Sequence, residues 1–72
     1  MKISIGDRVR YRGGFGSDPA TTVTVTGIEA TPLHSREKYG TTVDTVDLSK
    51  NDACLDLSNG TWAYSDQIDA VV

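Results

Sequence analysis

A chain of 72 residues has room for one hydrophobic core and no second domain, and so small a core rarely supplies more than about 3–5 kcal/mol of net stability. One cysteine excludes a disulfide within the monomer, and no apolar run approaches the roughly 20 residues that a membrane-crossing helix needs. The net charge of −3 excludes a dominant positive field for polyanions, although residues 1–38 carry six Lys/Arg against four Asp/Glu (+2) and residues 39–72 one against six (−5).

Taken in chain order, MKISIGDR lacks the apolar centre of a secretory leader, and with a lone cysteine it suggests a cytoplasmic protein. Ile3, Ile5, Val9 and Tyr11 stand at odd positions and Arg8, Arg10 and Arg12 at even ones, so a strand is expected over 8–12 with three guanidinium groups on one face. Along a strand these lie about 6.5–7 Å apart, close to the pitch of phosphates on an extended single strand. The simpler reading, preferred here, is a solvated face that meets the acidic second half of the chain. GGFGSDPA, residues 13–20, reads as a loop: its glycines and Ser-Asp-Pro are turn chemistry, and the phosphate-loop spacing is missing. Phe15 within it either stands out as a contact residue or packs back over the barrel end, the outcome favoured by the about 1.5–3 kcal/mol that burying an aromatic yields.

TTVTVTGIE, residues 21–29, alternates strictly until Ile28 falls out of phase with Val23 and Val25; a bulge at Thr26-Gly27 would restore it to the core. ATPLHSREKYG, residues 30–40, is a long polar connection in which Arg36-Glu37-Lys38 is solvated charge. His34 has no partner at metal-ligand spacing and Ser35 has no oriented base. In TTVDTVDLS, residues 41–49, the phase changes again between Val43 and Val46, so a second bulge or twist is expected near Asp44-Thr45; the calcium-loop spacing is absent from its acids.

ACLDLSNGTWAYS, residues 53–65, carries Asn59-Gly60 between two apolar runs, the signature of a two-residue type I′ hairpin. That turn pairs Ser58 with Thr61, Leu57 with Trp62 and Leu55 with Tyr64, which puts Trp62 and Tyr64 on the buried face. Cys54, Asp56, Ala63 and Ser65 then share the outer face, where Cys54 is an inert thiol beside Ser65. SDQI reads as one 3₁₀ turn, and DAVV as a last short strand. The expected core is Val9, Val23, Val25, Ile28, Val46, Leu55, Leu57, Trp62 and Ile68. The expected fold is an all-β, five-stranded, SH3-like, partly open barrel with a 3₁₀ turn before the last strand. An OB-fold would need a helix between strands three and four, and nothing supplies it.

IGDRVRYRGGFGSDPATTVTVTGIE, residues 5–29, is similar to a KOW-type motif, and LDLSNGTWAYSDQIDAV resembles the closing hairpin, 3₁₀ turn and strand of SH3-like and Tudor-like barrels. The pair of motifs also resembles small barrels encoded by bacteria and their phages. KOW motifs that bind RNA usually carry lysines where Ser17, Asp18 and Pro19 stand here. A Tudor-type aromatic cage would use Trp62, Tyr64 and Asp66, but the expected hairpin register commits both rings to the core.

These readings lead to a non-enzymatic binding module for a protein or peptide partner, working through loops 13–20 and 30–40 with Arg10, Arg12, Phe15 and Tyr39. Nucleic-acid binding by Arg8, Arg10 and Arg12 ranks second, disfavoured by the net acidity, and self-association of an otherwise monomeric chain through an edge strand ranks third. No catalytic, cofactor or metal residues are expected, since no nucleophile–base pair or paired carboxylates stand at a useful spacing, and no membrane contact is expected.

Overall fold

β-branched and aromatic residues at alternating positions build the strands of the computed structural model, which describes residues 1–32 and 40–72. These are β1 (Lys2–Ser4), β2 (Arg8–Arg12), β3 (Ala20–Pro32), β4 (Thr41–Val43), β5 (Thr45–Asp47), β6 (Asn51–Leu57), β7 (Trp62–Tyr64) and β8 (Ile68–Val71). A four-residue helical turn, α1 (Gly13–Gly16), follows β2, and a 3₁₀ turn over Ser65–Gln67 precedes β8. The main sheet is antiparallel in the order β7-β6-β3-β2-β8, with β4 added to β3, while β1 and β5 pair separately. The fold is therefore all-β, an open partial barrel of five main strands with the 3₁₀ turn in the expected place.

The long strand β3 makes the barrel. Its first half pairs with β2 (Val9 opposite Val23) and its second half with β6 (Ile28 opposite Leu55). The register slips between Val25 and Gly27, as the phase change in the sequence requires, and the extra residue returns Ile28 to the core beside Val23 and Val25. The Gly6-Asp7 turn holds this corner: Gly6 N–H donates to the Val25 carbonyl, and Val25 N–H to the Asp7 carbonyl, both at 2.8 Å. The second phase change splits one run between two sheets. β4 joins β3, the chain bends at Asp44, and β5 joins β1.

The closing hairpin departs from expectation. Leu57 N–H donates to the Thr61 carbonyl (2.9 Å) and Gly60 N–H to the Leu57 carbonyl (3.1 Å), so the loop has three residues, Ser58-Asn59-Gly60. Gly60 alone in this loop has a positive φ (83°), whereas a type I′ turn needs two such residues in succession. The cause lies in β3: Ser58 N–H donates to the Thr24 carbonyl (2.8 Å) and Thr24 N–H to Ser58 Oγ (3.0 Å), which takes Ser58 out of the β6–β7 ladder. One added loop residue turns every β7 side chain to the opposite face. Asp56 now faces Trp62, Leu55 faces Ala63 and Cys54 faces Tyr64. Ala63 is fully buried, while Trp62 and Tyr64 are each 49% exposed.

Every other expected core residue is buried, joined by Ile3, Tyr11, Ala53 and Ala63. The readings of His34, Ser35, Arg36-Glu37-Lys38 and Tyr39 lie outside the described residues. Among the described residues, no helix is long and apolar enough to cross a membrane.

Candidate functional site

The site is assembled by two local conformations. The first is α1, whose central residues Gly14 (φ 59°, ψ 36°) and Phe15 (φ 57°, ψ 33°) are both left-handed. For Phe15 that conformation costs roughly 1–2 kcal/mol, and it is the one residue other than glycine with positive φ among those described. Gly13 beside it packs closely: a Cβ there would come within 2.9 Å of Asp18 Oδ2 and 3.0 Å of Tyr11 Oη, so the Asp18 side chain would have to shift. The loop leaves Phe15 83% exposed. The expected lid packing is not formed, because two successive left-handed residues carry the ring away from the barrel end.

The second is the turned-over β7, which brings Trp62 to the same region. Tyr11, Gly14, Phe15, Thr61, Trp62 and Gln67 line an open groove of about 190 Å³. Gln67, only 6% exposed, ties its base together: Gln67 Oε1 accepts from Tyr64 N–H (2.9 Å) and Gln67 Nε2 donates to the Arg12 carbonyl (3.0 Å). Both ends of this amide are satisfied, as burial of a polar group requires. Trp62 is held edge-on by Tyr64, with ring centroids 5.1 Å apart and planes at 80°.

Beyond Trp62, the outer face of β3, β6 and β7 alternates acid and aromatic. One row runs Gly27–Asp56–Trp62 and the next Glu29–Cys54–Tyr64. Cys54 is half-buried there, opposite Tyr64 rather than beside Ser65; burial first, then the Asp56 and Glu29 charges, push its thiol pKa up. On the outer face of β2, Arg8, Arg10 and Arg12 are exposed between buried Val9 and Tyr11, as the alternation requires. Arg12 Nε donates to Asp69 Oδ2 at 2.8 Å, the one ion pair among the described residues, and it joins the neighbouring strands β2 and β8. In the turn between β5 and β6, the hydroxyl and N–H of Ser49 donate to the Asp47 carboxylate and hold its pKa below the usual value.

Of the residues singled out from sequence, Phe15 lies in the groove, and Arg12 reaches it only through its backbone carbonyl. Arg10 stands on the outer face between Thr22 and Ala70, and Tyr39 lies outside the described residues. Tyr11, Thr61, Trp62 and Gln67 were not expected there. The signal that could have found them is the serine before Asn59-Gly60, which makes a three-residue loop with a left-handed glycine as natural as the two-residue turn. Among the described residues, no group of three or more His, Cys, Asp or Glu side chains is placed to hold a metal ion. Comparison with protein-family models, curated proteins and solved structures finds no match to this chain.

Proposed function

We propose that the protein is a non-catalytic interaction module that seats an apolar stretch of a protein partner in the groove between Phe15 and Trp62. The observation that carries this reading is Phe15 itself: 83% exposed, in a costly backbone conformation, on the same groove as a half-exposed tryptophan. A fold that needed this aromatic only for packing would bury it and gain about 1.5–3 kcal/mol. Exposed aromatics around a satisfied polar floor are instead the makings of an interface hot spot. An SH3-like or KOW-like relationship belongs to the same proposal, supported by the order β2, β3, β6, β7, 3₁₀ turn, β8.

Nucleic-acid binding ranks lower. Arg12 is engaged by Asp69, and the arginine face belongs to a chain of net charge −3. Selection from a displayed library of random peptides tests the groove. Peptides enriched on the wild type should lose about 10-fold or more in affinity on Trp62→Ala or Phe15→Ala and should shift the NMR signals of Tyr11, Thr61 and Gln67. Peptides that bind both variants undiminished would overturn the proposal.

A further inference from the structure

The groove leaves two oppositely charged surfaces without a role. Because β3 bends at its bulge, the main sheet presents two outer faces. On the first, Arg8 and Arg10 stand among small neighbours, opposite Thr24 and Thr22 on β3 and, for Arg10, Ala70 on β8. On the second, exposed Asp56 and Trp62 form one row and exposed Glu29 and Tyr64 the next, with exposed Asp52 further along β6. We infer that the second face receives the first face of another copy of this chain.

Three features favour a second copy as the occupant. Each row of the receiving face offers one carboxylate and one aromatic ring, Asp56 and Trp62 on adjacent strands and Glu29 and Tyr64 on either side of Cys54, so a guanidinium meets in each row a group that it pairs with or stacks on. The spacings agree as well: the rows are one strand repeat apart, about 6.5–7 Å, and so are Arg8 and Arg10. Finally, a nucleic acid would use only the arginines and a basic peptide only the acids, whereas a second copy engages both surfaces. The donating and receiving patches are different, so the contact is head-to-tail and leads to a chain or a ring rather than a two-fold dimer. This goes beyond the groove, with which it shares only Trp62.

Two double variants test it, with neutral replacements so that no new attraction is created. Arg8→Gln/Arg10→Gln keeps only the receiving face, and Glu29→Gln/Asp56→Asn keeps only the donating one. All four positions are exposed, and dispersed NMR spectra would establish that both variants fold. In light scattering after size exclusion at high protein concentration and low salt, the wild type should form species larger than a dimer. Raising salt from about 50 mM to about 0.5 M should weaken this by about 10-fold or more, as expected for exposed charges. Each variant alone should be monomeric, and an equimolar mixture should stop at a 1:1 pair. A wild type that stays monomeric, variants that still associate alone, or a mixture that does not pair would each overturn the inference. Phe15→Ala, which touches only the groove, should leave the association unchanged while weakening the peptide binding proposed above by about 10-fold or more.

Discussion

At the scale of single residues, Phe15 combines an exposed ring with a strained backbone. With its ring in solvent and its backbone left-handed, Phe15→Gly removes little packing and relieves strain. Urea denaturation of that variant should give unchanged stability or a gain of up to about 1 kcal/mol, together with loss of peptide binding. A loss of more than about 1 kcal/mol would mean that the ring packs on the barrel. Trp62→Ala is expected to cost no more than about 1–1.5 kcal/mol, not the about 3–5 kcal/mol of an emptied core site. Cys54 offers a pH test. Its folded pKa is raised above the usual 9.0, so the stability it contributes is fully present below that value and is lost as pH rises through the folded pKa. Thiol labelling at neutral pH should accordingly run slower than for a free cysteine, and faster labelling would contradict the burial described.

At the scale of elements, strands and bulges were legible in the sequence because alternation is a local property. The phase changes at Ile28 and Val46 required the slip in β3 and the break at Asp44, and both occur. Hairpin register was not legible, because Asn59-Gly60 serves both loop lengths and the deciding bonds join Ser58 to Thr24, 34 residues away. With the register went half of the site, since Trp62 reaches the groove only in the longer loop. Phe15 was legible as a candidate but its exposure was not, as that depends on the dihedral angles of α1. Gly60→Ala, forced to positive φ, should cost roughly 1–2 kcal/mol in urea denaturation, whereas Asn59→Ala, which loses only the exposed bond that Asn59 Oδ1 accepts from Thr61 N–H (3.2 Å), should cost about 0.5–1 kcal/mol. Gln67→Ala should cost about 1–3 kcal/mol, because it strands the Tyr64 N–H and the Arg12 carbonyl.

At the scale of the whole molecule, one sheet bent at β3 accounts for both the core and the surfaces. Its concave side takes the aliphatic residues, Phe15 and Trp62 line the groove at its edge, and its two outer faces set Arg8, Arg10 and Arg12 apart from Glu29, Asp52 and Asp56. The charge asymmetry between the halves of the sequence thus persists as an asymmetry of surfaces, joined at Arg12–Asp69. β7 turns its aromatics outward, and Trp62 so supplies one wall of the groove. Trp62 is the sole tryptophan, so its fluorescence reports on that placement directly. Acrylamide should quench the half-exposed indole of the folded protein readily, though less than in the urea-unfolded chain, and a groove-binding peptide should protect it. A blue-shifted, quencher-protected indole in the free folded protein would place Trp62 in the core and contradict the account.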